Sequence, residues 1–303
     1  MRIIVTGASG QFGSAAVQGL LGKLPAGDLI LVTRNPDKLA HFAALGADVR
    51  HGDFDDARSL ETAFAGGDKM LMISTARVGK RMPQHTNAVT AAVKAGVKHI
   101  VYTSFVAATP DNPSLAVKDH CGTEQLLRDS GVDWTVMRNS HYQDAIVHAI
   151  APMVLKTGRW MTSSGDGKVA CVTRQDCVDC AVVVLSTPGH RNTVYNVTGP
   201  ELLSLQQDAD ILAEVSGKPL QLVHVTDDDM YAYFDGFGIP REAVDDNVVE
   251  GVAWSSDDMV SFERTIREGR FAVISDDVRK LTGRAPQSLH SFAMENRGML
   301  TSI

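Results

Sequence analysis

The chain has 303 residues, 44% of them hydrophobic, with 36 acidic and 29 basic side chains and a formal net charge of −7. That length suits one large α/β domain with a subdomain grown onto it. The interspersed, net-negative charge argues against a nucleic-acid or membrane surface, and no apolar run approaches the length of a membrane span.

A strand is expected over 2–6 and a helix over 11–23, and between them lie Gly7, Gly10 and Gly13. Gly7 permits a tight turn and Gly10 lets a pyrophosphate approach the backbone. Gly13 lets the helix pack closely on the strand, while the free N–H groups at the helix start favour an anion. Strand, glycine turn and helix in immediate succession are the context a dinucleotide-binding turn requires, and no secretory leader is expected ahead of it. A second buried strand, 29–33, ends in Arg34-Asn35-Pro36-Asp37-Lys38. An acidic residue here would bind the ribose 2′-OH of NAD, whereas an arginine accommodates a 2′-phosphate. Arg34 can pair bidentately with that phosphate and Lys38 adds a second charge. NADP(H) is therefore expected in preference to NAD(H).

Further strands are expected at 47–51, 69–73, 99–103 and 133–138, with helices at 36–45, 57–64, 82–95 and 119–130. Such alternation implies right-handed βαβ crossovers and a Rossmann-type, doubly wound parallel sheet buried on both faces. Ligands bind such sheets at the carboxyl ends of the strands. The third strand closes with Asp53 and Phe54, a polar and aromatic pair suited to adenine. The fourth closes with Ser74, Thr75 and Ala76, and the fifth with Thr103 and Ser104. Arg77, Lys80 and Arg81 follow as a small basic group, facing either a ligand or solvent.

After residue 140 the alternation loosens. A strand near 193–198 is expected to return to the main sheet, with helices near 204–216, 226–237, 240–250, 256–268 and 287–297. No Pro/Gly/Ser-rich linker intervenes, so 1–150 is expected to be a dinucleotide-binding domain and 151–303 a smaller subdomain shaping the substrate pocket. Cys177-Val178-Asp179-Cys180 lacks a second ligand pair and reads as helix packing, and four cysteines in a chain this size fit a reducing, cytoplasmic setting. Asp227-Asp228-Asp229 reads as a helix N-terminus rather than a metal cluster, and no metal site is expected.

The runs Met72 to Thr75, Pro83 to Asn87 and Ala95 to Ser104 resemble the NmrA-like branch of the atypical short-chain dehydrogenase/reductases. Asp119 to Glu124, Arg138 to Tyr142 and Gly165 to Lys168 narrow the resemblance to its quinone- and triphenylmethane-reducing members, over residues 1 to about 225. It implies NADPH in the N-terminal domain and hydride transfer to a flat, conjugated acceptor. The cofactor contacts it implies are Gly7, Ala8, Ser9, Gly10, Gln11 and Phe12, then Arg34, then Ser74, Thr75 and Ala76. Arg138, Asn139, Ser140, His141, Tyr142 and Gln143 complete them, with Tyr142 beside the nicotinamide.

Short-chain dehydrogenases that reduce carbonyls carry Tyr-x-x-x-Lys, the lysine lowering the pKa of a tyrosine acid. No tyrosine here is followed by lysine four positions on, and counting back from Glu124 puts His120 at the lysine position and Ala116 at the tyrosine position. His120 is a candidate for binding the nicotinamide ribose or for donating a proton. Lys118 is a second candidate should the helix begin late. Quinones and conjugated cations spread the incoming charge and need a dedicated acid less than an isolated carbonyl does. Three functions remain in view: an NADPH-dependent reductase of quinones or similar aromatics, a reductase of benzylic ethers or aryl ketones, and a non-enzymatic NADP-binding redox sensor. The expected partners are a small aromatic substrate and at most a second copy of the chain, so monomer or homodimer.

Overall fold

Period-two burial organises the N-terminal half. In β1 (Ile3–Thr6) and β2 (Leu29–Thr33), Ile3, Val5, Leu29 and Leu31 join one core cluster, while Ile4, Ile30 and Val32 join another on the opposite face. A strand buried on both faces reads as a continuous apolar run because it has no solvent side. The computed structural model describes residues 1–244, 248, 249, 252, 253 and 255–303.

Around β1 and β2 run α1 (Gln11–Leu21), α2 (Ala40–Ala44), β3 (Asp48–His51), α3 (Ala57–Phe64), β4 (Lys69–Met72), α4 (Met82–Lys94), β5 (His99–Phe105), α5 (Leu115–Asp129) and β6 (Asp133–Asn139). A π-helical turn, Ala145–Ile150, leads into α6 (Ala151–Thr157), then β7 (Arg159–Thr162), β8 (Lys168–Val169), α7 (Arg174–Ser186) and β9 (Thr193–Val197). The remainder is β10 (Leu203–Ser204), α8 (Leu205–Ser216), β11 (Gln221–His224), α9 (Asp227–Gly236), β12 (Val248–Val249), β13 (Val252–Ala253), α10 (Ser256–Arg267), α11 (Asp277–Thr282), α12 (Leu289–Glu295) and α13 (Arg297–Ser302). The main sheet has seven parallel strands in the order β3-β2-β1-β4-β5-β6-β9. Its order reverses between β1 and β4, the switch point where a crevice opens at the carboxyl edge. One face is covered by α1 and α7, the other by α3, α4 and α5.

The returning strand is β9, which pairs with β6 from Thr135↔Thr193 to Asn139↔Val197. From residues 151–303, α7 packs on α1, and α11 packs on α7 and β9. A third core cluster, with Trp160, Leu212, Leu222, Phe271, Leu289 and Leu300, joins the smaller elements.

Several boundaries differ from expectation. The helix over 36–45 splits into a 3-10 turn at Pro36–Leu39 and α2, because the Asn35 side chain accepts from the Asp37 N–H and closes a local turn. The helix expected from 119 begins at Leu115, capped by the Ser114 hydroxyl that accepts from the Val117 N–H. In the helix expected over 240–250, residues 240–244 are not helical and Val248–Val249 pairs antiparallel with Val252–Ala253. Residues 245–247 and 250 of that span lie outside the described ones. The helix over 287–297 is the shorter α12, followed by α13.

Candidate active site

At the β1–α1 turn, Gly7 has φ +59°, the left-handed region that favours glycine, and a Cβ on Gly13 would lie 2.3 Å from the Gly7 carbonyl oxygen. The Gly10 N–H donates to that same carbonyl at 2.9 Å, and the first helical bond runs from Ser14 N–H to Gly10 C=O. Gly10, the N-cap, supplies no side-chain bond, and the first turn holds no acidic residue. The N–H groups of Gln11, Phe12 and Gly13 thus form an uncapped helix mouth, which suits a phosphate. Ser9 Oγ meets Thr33 Oγ1 at 2.8 Å and Ala8 N–H donates to Val32 C=O, fixing the turn to β2. Just past β2, Arg34 and Lys38 are exposed, and neither side chain has a hydrogen-bond or ion-pair partner among the described residues. Beyond β3, Asp53 Oδ1 accepts from the Asp55 N–H at 3.0 Å and Phe54 packs half-buried against the core.

The edge of β4, β5 and β6 is different in kind. Ser74 N–H donates to Thr103 Oγ1 at 2.9 Å, and Thr75 N–H donates to His85 Nε2 at 3.3 Å. His85 Nδ1–H then reaches Thr123 Oγ1 at 2.8 Å, and that hydroxyl donates to the Asp119 carbonyl. Arg81, only 8% exposed, donates from Nε to the Thr75 carbonyl and lies with its terminal nitrogen 3.1 Å from His120 Nε2. A guanidinium only donates, so His120 Nε2 accepts and Nδ1 carries the proton, 2.8 Å from the Tyr102 hydroxyl. Burial, with help from Arg81 and His85, keeps His120 well below the usual histidine range, and burial raises Tyr102 above the usual phenol range. Lys118, two residues from His120 on a helix that begins early, is exposed instead.

Glu124, with 1% side-chain exposure, receives Arg138 as a two-pronged fork at 2.9 and 2.7 Å, Arg128 at 3.0 Å and the Ser104 hydroxyl at 2.7 Å. The guanidinium of Arg138 and the hydroxyl of Ser104 are therefore directed at Glu124. At the end of β6 and in the loop that follows, three buried polar atoms have no partner: Asn139 Oδ1, Ser140 Oγ and Gln143 Oε1. The other ends are anchored, Asn139 Nδ2 on the Tyr142 hydroxyl at 3.2 Å and Gln143 Nε2 on the carbonyls of Cys171 and Gln287 at 2.9 Å each. Unpartnered acceptors on an anchored loop fit an amide-bearing group such as a nicotinamide. The Tyr142 ring lies under Arg174, whose guanidinium carbon is 5.4 Å from its centroid. His141, lowered by burial to about 4, faces Phe262 of α10 at 5.0 Å. Phe262 also meets Phe105 at 6.0 Å and Phe271 at 4.9 Å, making an aromatic wall at this edge.

Sequence reasoning left Arg81 open between ligand and solvent, and gave no role to Tyr102, His85 or Phe262. A signal for Arg81 exists in its position just before Met82-Pro83, a helix start that points the residue back at the strand ends. Cys177 and Cys180 pack in the main core. Thr226, not an aspartate, caps α9, with Asp229 as its capping-box partner, while Asp227 ties α9 to Arg264 and Arg267 of α10. Among the described residues no group of His, Cys, Asp and Glu is placed to hold a metal ion, and no helix is long and apolar enough to cross a membrane.

A family model described as NAD(P)H-binding matches residues 7–188. Quinone oxidoreductase 2 of Escherichia coli (strain K12) is 38% identical over 243 residues, 80% of this chain and 84% of that protein. An NAD(P)H azoreductase of Xenophilus azovorans is 31% identical over 293 residues, 96% of each chain. The structure of NADPH-dependent quinone oxidoreductase from E. coli with NADPH matches with TM-score 0.87 and 33% identity, covering 97% of this chain and 99% of that one. Citrobacter sp. triphenylmethane reductase with NADP(H) matches with TM-score 0.84 and 31% identity, covering 98% and 100%.

Proposed function

We propose, on the premise that this chain belongs to the NAD(P)H-binding, NmrA-like family and is an NAD(P)H-dependent oxidoreductase, that it uses NADPH to reduce a quinone or a similarly conjugated aromatic. The observation that carries the reading is the aromatic pair Phe105 and Phe262 packed beside His141, on the loop that carries the unpartnered buried acceptors, with no tyrosine at the usual acid position. A flat acceptor would lie against these rings. The cofactor supplies hydride. The helix mouth from Gly7 to Gly13 would hold its pyrophosphate, and Arg34 and Lys38 its 2′-phosphate. Asp53 and Phe54 would border the adenine, and Ser74, Thr75, Ala76 and Thr103 the middle of the crevice.

Asn139, Ser140 and Gln143 would take the nicotinamide amide, with Tyr142 and His141 flanking it. His120 would act by holding Arg81 and Tyr102 in place, because a ring bonded at both nitrogens and kept neutral is a poor proton donor at neutral pH. Arg138 and Ser104 would act through Glu124. Exposed Lys118 takes no part.

NADPH oxidation with a panel of quinones, triarylmethane dyes, aryl ketones and benzylic ethers tests the reading. Turnover is expected with the quinones or dyes. Turnover confined to ketones or ethers would replace the acceptor class, and NADPH binding without turnover on any acceptor would favour a redox sensor.

A further inference from the structure

After β9, α10 brings an aromatic ring to the carboxyl edge of the main sheet. Asp258 and Phe262 lie one turn apart on it and so share a face. Phe262 reaches the rings of Phe105 and His141, so Asp258 stands over the same edge. There its carboxyl meets the backbone N–H of Ala116, and the Arg81 guanidinium and Asp119 carboxyl are the charged groups facing it. Ser255 and Ser261 fix the helix locally: Ser255 Oγ accepts from the Asp258 N–H at 3.4 Å, and Ser261 Oγ accepts from the Leu115 N–H at 3.2 Å. Asp258 Oδ1 is buried and has no hydrogen-bond partner. Leaving a buried polar oxygen unpartnered is costly, which asks for a role beyond packing.

Ala116 is the position where Tyr-x-x-x-Lys relatives would carry their acid, and its methyl group supplies none. We propose that Asp258, brought to Ala116 by α10, donates the proton that a reduced acceptor takes up. This rests on the reductase reading above. A quinone gains two electrons and one proton as hydride. Its second proton comes from Asp258 as the carboxyl O–H breaks and a hydroquinone O–H forms, and the carboxylate then regains a proton from water. Burial pushes the Asp258 carboxyl up to about 6, against the pull of Arg81 and the Ala116 N–H, and the Asp119 carboxyl adds to the rise. A triarylmethane cation, by contrast, becomes its neutral leuco form on hydride alone and requires no proton.

That difference makes the test. Asp258→Asn and Asp258→Glu are compared with the unmodified chain on a benzoquinone and on a triarylmethane dye cation, with NADPH affinity followed by fluorescence. Asp258→Asn should lower quinone turnover about a hundredfold or more, lower dye turnover far less, and leave NADPH affinity unchanged. Asp258→Glu should recover part of the quinone rate. In the unmodified chain the quinone rate should fall as pH rises through about 6, while the dye rate does not follow it. Carbon NMR of labelled aspartate should show a carboxyl titrating near that pH, absent from Asp258→Asn. Equal loss on both acceptors, an undiminished quinone rate, or a carboxyl titrating in the ordinary aspartate range overturns the proposal and leaves the reductase reading intact. An unmodified chain that reduces neither acceptor overturns that reading, and the proposal with it. Should the Asn variant fail to fold, the quinone and dye pH profiles of the unmodified chain decide.

Discussion

The two halves of the sheet's carboxyl edge are built on opposite principles. At β1 and β2 the chain leaves groups open: an uncapped helix mouth, and the side chains of Arg34 and Lys38 exposed without partners. At β4, β5 and β6 it closes them in, so that Arg81, His85, Tyr102 and His120 are all buried and hydrogen-bonded to protein. A phosphate-binding half works through backbone N–H groups and mobile charge, and needs little side-chain support. A half that must hold a reacting ring in one orientation needs side chains locked by their neighbours. Unpartnered buried atoms at Asn139, Ser140, Gln143 and Asp258 lie on this closed half, together with those of Thr75 and Gln84.

The largest effect should come from filling the open half. A Cβ on Gly10 would stand 3.3 Å from the Gly7 carbonyl oxygen, tight for the protein itself, and a valine there would project into the space a pyrophosphate needs. Gly10→Val should abolish NADPH binding in a fluorescence titration while the melting temperature stays near that of the parent. Normal binding by that variant would move the cofactor elsewhere.

Acid should break the comparison from the other side. Burial lowers His85 to about 3 and His141 to about 4, and holds His120 low as well. Each has an unfolded value near 6.5, so below that pH the unfolded chain binds protons that the folded chain refuses. The stability these rings contribute is complete above about 6.5 and is lost as pH falls toward their folded values. Hydrogen exchange between pH 7 and pH 5 should therefore loosen the β4–β6 edge before the glycine turn, where no histidine is buried. Uniform loosening would show that the two halves are not distinct in this respect.

The same contrast explains what was legible in the residues. The glycine turn, Arg34 and the buried strands are local signals, carried by spacing and by short apolar runs, and the strands lie within two residues of expectation. The start of α5 is hard to read locally because Pro113-Ser114-Leu115-Ala116 has no charged periodicity, although Ser114 is a good N-cap. Arg81 is open between ligand and solvent in the sequence, and its burial comes from the His120 of α5 and the Thr75 carbonyl that it meets. The contacts of Phe262 and Asp258 join positions more than a hundred residues apart, and no local pattern encodes them. His120 was found from its place in a motif, yet its partners, Tyr102 and Arg81, come from a neighbouring strand and a loop.

A smaller effect should sharpen the open half. If Arg34 holds a 2′-phosphate, NADPH should bind more tightly than NADH, and Arg34→Ala should erase most of the difference. A charge-assisted bond contributes about 1.5–3 kcal/mol, so the loss should be about ten- to a hundredfold in the affinity ratio. Equal affinities in the unmodified chain would remove the basis for an NADP preference. Lys38→Ala should have a weaker effect of the same sign, because an ammonium on a flexible stem acts as a point charge rather than a fork.

The smallest effect belongs to Tyr142. Its hydroxyl accepts one bond, from Asn139 Nδ2 at 3.2 Å, and burial holds its proton more tightly than in an ordinary phenol. A group that holds its proton so firmly is a weak acid for the reaction, while its ring is kept in place by Arg174 whether or not the hydroxyl is present. Tyr142→Phe removes one neutral hydrogen bond, worth about 0.5–1.5 kcal/mol, and frees the Asn139 amide to shift. The expected result is a severalfold rise in KM for NADPH with kcat little changed, the pattern of an interaction present equally in ground and transition states. A variant with normal NADPH affinity and turnover lowered a hundredfold or more would make Tyr142 the acid. It would also move the proton donor from Asp258 on α10 to the loop that follows β6.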